Sequence, residues 1–433
     1  MSTTYLSPPA LARPDAQAYS DRLTVTGIIL FVTGVLVVAS GFGRFRPEIG
    51  GLRLHPYLIP IALMFPSMLL SRIQQFPSKV LGGMAVFGGI YAAAALNGGG
   101  GLSETSKILS AGMVIVGSAL FVQRHSDFVA GTLGLNLAVA ALAVHGLQEE
   151  ENLSVGFKGL DVANKNSYSL YALPAILLAG YVILQMPKTK TPIKVLLGMC
   201  AVVSLAAIFM SGNRSGYLGA VIVGMMLLAS RKAKGILLVA AVAGAVVFYI
   251  ANYRNTVVLS RRLEQTAEGT ASDRMRRDII PTCIKIAIEN PILGASPQGL
   301  PLAIGRYLQT EYRHDIIDPH NVFAHVLGGC GIICFGFLIF TGVSLWQYGK
   351  PIKDREADRE YPDLGRLLRM MLFLWFIRGM FSREILYVPG FCIGLGIIIG
   401  GVAVQRRWNL RGQNSARPIE RPSTGRLLPV PGA

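Results

Sequence analysis

The chain reads as an all-α integral membrane protein with about twelve transmembrane helices and an outer loop of short amphipathic helices. Its mean hydropathy is +0.48. Of its 433 residues, 52% are hydrophobic and only 15% charged, more apolar than one soluble core requires. Runs such as Ile28 to Ala39 also lack the polar face that a helix of a soluble bundle must turn to water.

Apolar runs long enough for about 30 Å of hydrocarbon fall near 23–42, 55–71, 79–97, 107–122, 127–146 and 168–186. Further runs follow near 193–211, 215–230, 235–252, 322–348, 366–381 and 385–404. The first is followed by no cleavage site and is expected to stay as an uncleaved span. The organisation expected is a cytoplasmic tail at 1–22, helices one to nine over 23–252, and an outer loop at 253–321. Helices ten to twelve then occupy 322–404, and a basic cytoplasmic tail occupies 405–433.

The net charge of +17 would suggest nucleic acid if it formed one patch on a globular domain. Here the cations punctuate the apolar runs, so the reading is topological: membrane lipids are partners and nucleic acid is not. Lys188, Lys190 and Lys194, then Arg231, Lys232 and Lys234, the 350–369 loop and the arginines of the tail share one side. By the positive-inside rule both termini are cytoplasmic. Arg44, Arg46 and Arg53 in the first outer loop do not follow that rule.

Within the outer loop, Ile279, Ile280, Cys283, Ile284 and Ala287 recur at helical spacing, so a short amphipathic helix is expected over 276–288, packed at the membrane face. Asn290-Pro291 ends it, because a proline ring disfavours helical geometry in the residue before it. A turn over 294–299 and a weaker helix near 302–312 follow.

The topology gathers unusual polar residues on the outer side. Arg214 lies at the outer end of the seventh span, and Arg274, Arg276 and Arg277 open the outer helix. His320 and Asn321 precede the tenth span, while Arg378, Arg383 and Glu384 fall in the turn between the last two. Arginine near an interface is costly unless solvated or paired, and its planar donors match phosphate oxygens. His320 can take a proton from a hydroxyl nucleophile, a role imidazole commonly fills. Asp318 and Glu384 both remain open as partners that orient its ring. His325 reads as a helix–helix contact and His314 as a solvated loop residue.

No HExxH, DxD, P-loop or nucleophile-elbow pattern occurs, and the five cysteines form no CxxC pair, so no metal, cofactor or disulfide framework is expected. A transporter would also have about a dozen spans, but it would place ionisable groups near the bilayer midplane.

Three segments carry a resemblance to the O-antigen ligase and O-antigen polymerase superfamily. Ser211-Gly212-Asn213-Arg214-Ser215-Gly216 resembles its arginine-bearing motif at a span end. Glu289-Asn290-Pro291-Ile292-Leu293-Gly294 resembles its NPLLG turn. Asp318-Pro319-His320-Asn321-Val322-Phe323, followed by Gly329-Cys330-Gly331, is similar to its HN...GxxG signature. The family arginine before the turn falls on Arg276, with Arg274 as the alternative; the aromatic residue usual one turn later is replaced by Ile280.

The resemblance implies a GT-C-like glycosyltransferase in the bacterial inner membrane, acting without metal at the periplasmic face. It implies a glycan on undecaprenyl pyrophosphate as donor and lipid A-core as the acceptor of a ligase, or a second lipid-linked glycan as that of a polymerase. The ligase is the closer likeness. His320, Arg214 and Arg276 are the expected catalytic residues, and Arg274, Arg277, Asn321, Arg378 and Arg383 the expected substrate contacts.

Overall fold

The computed structural model describes residues 24–41, 48–49, 52–53, 55–98, 101–148, 165–211, 213–229, 271–308, 319–350 and 363–416. The expected ninth span at 235–252 lies outside them, as do Asp318, His314 and the cations Arg231, Lys232 and Lys234.

The first half comprises α1 (Val25–Gly41), α2 (Leu58–Arg72), α3 (Ser78–Asn97), α4 (Gly101–Phe121), α5 (His125–Gln148), α6 (Lys165–Gln185), α7 (Thr191–Met210) and α8 (Arg214–Leu228). The second comprises α9 (Ala271–Glu289), α10 (Leu300–Tyr307), α11 (Val322–Tyr348), α12 (Leu364–Gly379) and α13 (Pro389–Ala416). Between α1 and α2 a two-stranded antiparallel hairpin pairs Glu48 with Arg53 and Ile49 with Leu52, an element that apolar patterning did not announce.

Among the described residues seven helices are long and apolar enough to cross a membrane, and two more, at Val25–Val37 and Ser215–Leu228, are apolar but shorter. The expectation of about twelve is therefore met only in part. At about 1.5 Å per residue, the 15 residues of α2 and 16 of α12 fall short of a straight crossing.

The most enclosed helix is α13, with 94% of its apolar window buried inside the protein. It packs against α4, α5, α6 and α12. Glycines permit the close crossings: a Cβ on Gly396 or Gly400 would sit 2.5 or 2.4 Å from the carbonyls of Ile115 and Ala119 on α4. Likewise α1 meets α5 at Gly134, where a Cβ would lie 2.2 Å from the Phe31 carbonyl. Lipid gives helices little hydrophobic reason to associate, so close backbone packing supplies the attraction.

The outer helix is longer than expected, starting at Ala271, and ends before Asn290-Pro291 as the sequence implies. Its apolar stripe packs on α11 rather than only on a membrane face: Ile279, Cys283 and Ile286 form a buried cluster with Leu300, Ile304 and Ala324. Ile280, Ile284 and Ile288 stay exposed on the other side. The weaker second helix is observed as α10.

Candidate active site

The site begins at the start of α8. Asn213 adopts extended geometry and caps the helix, its Oδ1 accepting from Ser215 N at 3.1 Å and Ser215 Oγ at 2.8 Å. Such a cap satisfies amides that have no partner in the first turn. It makes Arg214 the first helical residue. The Asn213 amide also donates from Nδ2 to Ser169 Oγ at 3.0 Å, tying α8 to the second turn of α6.

The same Ser169 oxygen accepts from Arg378 Nη2 at 2.8 Å. Arg378 was expected in the turn between the last two spans. Instead α12 continues through Gly379, which puts Arg378 in its last turn with 1% of its surface exposed. A cation there is favoured by the negative end of the helix dipole. It lies directly beneath α8, since a Cβ on Gly219 would approach Arg378 Cδ to 3.4 Å.

The next residue of α12 touches the start of α11. A Cβ on Gly379 would come within 2.7 Å of Val322 Cγ1, and Phe323 packs its ring against Trp375 and Phe376 at centroid distances of 5.9 and 5.2 Å. Asn321 caps α11, its Oδ1 accepting from Phe323 N at 2.9 Å and Ala324 N at 3.1 Å. That oxygen is therefore committed to the helix.

His320, just before the cap, is exposed and has a positive φ of 43°. Non-glycine residues seldom adopt that geometry, and they hold it where the surroundings enforce it, often at functional sites. Thus the starts of α8 and α11, far apart in sequence, both abut the last turn of α12.

The turn after α9 is docked against a break in α11. Gly331 has φ 84° and ψ 174°, conformations open to glycine alone, and interrupts the helix. The Pro291 carbonyl accepts from Ile332 N at 2.8 Å, capping the restarted helix. Ala295 N in turn donates to the Gly328 carbonyl at 2.9 Å. Two of the three motif segments are therefore held together by backbone hydrogen bonds.

The same docking sets the direction of α9. Cys283 lies beside Gly328, with a Cβ on that glycine 3.1 Å from Cys283 Cβ, and Pro291 beside Ile332, so α9 and α11 run parallel. Arg276 lies two turns before Cys283 on α9, toward the start of the helix. Arg274 lies further out, half a turn before Arg276.

Arg383 and Glu384 lie half-buried in a single 3-10 turn, Arg383–Leu386, that packs on both α11 and α12. Facing that turn is a pair that sequence reasoning did not single out. Lys107 donates to Glu104 at 2.5 Å and sits 5.4 Å from the centroid of the Tyr387 ring. One turn into α11, buried His325 shares a hydrogen bond with Tyr91 of α3 at 3.3 Å, the helix–helix contact expected of it. Ser169 was also missed; it is one serine in an apolar span, and only its tertiary partners distinguish it.

All five cysteines are free and buried. Among the described residues no three His, Cys, Asp or Glu side chains gather as a metal site.

Residues 199–341 match the model of a family described as O-Antigen ligase. The matched stretch contains all three motif segments and supports the resemblance to the O-antigen ligase and polymerase superfamily. No curated protein matches the chain.

Proposed function

From this O-antigen ligase family segment, we propose that the chain is an O-antigen ligase of lipopolysaccharide biosynthesis. It transfers a glycan from undecaprenyl pyrophosphate to a sugar hydroxyl of lipid A-core, at the periplasmic face of the inner membrane. The observation that carries this reading is the meeting of the starts of α8 and α11 at the end of α12.

The proposed step is one in-line displacement with inversion. The acceptor oxygen forms a bond to the anomeric carbon as the bond from that carbon to the diphosphate oxygen breaks. His320 takes the hydroxyl proton, and the electron pair leaves with the diphosphate. Charge grows on the departing group, so fixed cations at Arg214 and Arg276 lower the barrier more than they tighten ground-state binding. Diphosphate is a competent leaving group, so the step calls for no Lewis acid. Arg274, Arg277 and Arg383 are proposed to hold the rest of the anionic substrate through paired guanidinium donors.

The test is deletion of the gene followed by electrophoresis of the cell's lipopolysaccharide. A ligase predicts loss of all long glycan on lipid A-core, with lipid-linked polymer accumulating. A ladder reduced to one repeat unit would instead identify a polymerase, and an unchanged ladder would remove both.

A further inference from the structure

Arg378 has no carboxylate partner among the described residues, and its Nε and Nη1 are buried without a hydrogen-bond acceptor. Its one hydrogen bond there is to Ser169 Oγ, which also receives the Asn213 amide. Two donors thus converge on one hydroxyl oxygen and use both of its lone pairs. All three groups are shielded, with Ser169 at 0%, Arg378 at 1% and Asn213 at 3% exposure. A buried polar group that loses its partner is not rescued by water, so the geometry of this trio is held tightly.

The surroundings leave little room for drift. A Cβ on Gly216 would lie 3.1 Å from Ser169 Cβ, and one on Gly219 2.3 Å from Leu173 Cδ1. The first two turns of α8 are therefore pressed onto α6 with Arg378 wedged alongside. Asn213 is both the end of this tie and the cap that sets the direction of α8. The residue whose backbone the cap fixes is Arg214.

We infer that Arg378 and Ser169 are positioning residues for Arg214: the Arg378–Ser169–Asn213 hydrogen bonds fix the first turn of α8, so that Arg214 is already aimed when the substrate arrives. The inference rests on the reading of Arg214 as the cation that stabilises the departing diphosphate. A charge that acts on the transition state is sensitive to aim, and a displacement of about 1 Å costs up to about 10²-fold in rate. The loss falls on kcat, because the donor is still held by its other contacts.

The test uses the full chain, purified and reconstituted in vesicles, with a polyprenyl-diphosphate-linked glycan as donor and lipid A-core as acceptor. Ser169→Ala and Arg378→Gln are each made in the native and in the Arg214→Lys background. Amide hydrogen exchange over 213–217 is measured in parallel, without substrate. The expected result for Ser169→Ala is a drop in kcat of about tenfold with donor KM within about twofold, and faster exchange over 213–217. In the Arg214→Lys background the same change costs little more, as expected when two residues act as one unit.

Native kcat and native exchange in Ser169→Ala overturn the inference, and so does an equal loss in both backgrounds. If Arg378→Gln does not fold, Ser169→Ala, which removes only a hydroxyl, still decides. If Arg214→Ala transfers glycan at the native rate, the parent reading fails and the positioning role falls with it. An inactive Arg214→Ala beside a native Ser169→Ala overturns the positioning alone.

Discussion

Replacing Gly331 with alanine tests how the turn after α9 is held on α11. The backbone at Gly331, with φ 84° and ψ 174°, lies where a residue bearing Cβ carries about 1–3 kcal/mol of strain. The added Cβ would also stand 2.5 Å from the Pro291 carbonyl oxygen and 2.8 Å from Ile292 C, both backbone atoms that cannot rotate away. Relief requires the turn to move, and that breaks the Ile332 N to Pro291 O hydrogen bond of 2.8 Å. Leaving the amide unsatisfied adds about 1–3 kcal/mol. The sum, about 2–6 kcal/mol, falls on the docking of one segment rather than on the whole bundle. Gly336, on the same helix, is the matched control, because its Cβ would meet nothing within 4 Å. Amide exchange over 279–295 in detergent, with thermal unfolding, reads both variants. Gly331→Ala is expected to lose protection there and to lose glycan transfer, while Gly336→Ala keeps both. Native protection in Gly331→Ala would refute the argument that this glycine is required by geometry.

Two further outcomes follow from the same packing. Asn321→Ala removes the cap of α11 and should cost about 1 kcal/mol of stability, seen as a lower Tm, while Asn321→Asp retains the acceptor and most of the stability. Burial pushes the Cys283 thiol up to about 12. The reactive thiolate is therefore scarce at neutral pH, and maleimide labelling of Cys283 should stay negligible at pH 7 and become measurable only when α9 is released, for example by Gly331→Ala.

The helices were legible where a local rule decides them. Asn290-Pro291 ended α9 because proline geometry acts on its immediate neighbour. Pro281 inside α9 shows the limit of such rules: it occupies an exposed position and the helix runs through it. Gly331 reads like any other small residue of a membrane helix, and only the approach of Pro291 reveals that it breaks the chain's direction. The short α2 and α12 were read as full spans because hydropathy measures composition, whereas crossing depends also on where the helix stops.

The candidate residues stood out in the sequence for a related reason. His320, Arg214 and Arg276 stand at segment ends, where polarity contrasts with the apolar spans. Arg378 was noticed but set in the turn, although the expected span at 366–381 already contained it. The role of Ser169 depends on α6, α8 and α12 meeting, a contact between residues 44 and 209 positions apart in the chain. No local pattern encodes such a meeting.

The most direct test of the account is glycan transfer by His320→Ala and Arg214→Ala proteins in vesicles supplied with lipid-linked donor and lipid A-core. Removal of a base of this kind should slow transfer by about 10²- to 10⁴-fold, and removal of the cation by about 10²- to 10³-fold, with the Tm of each variant held. Transfer at the native rate by either protein would contradict the claim that these two residues, brought to one end of α12, perform the reaction.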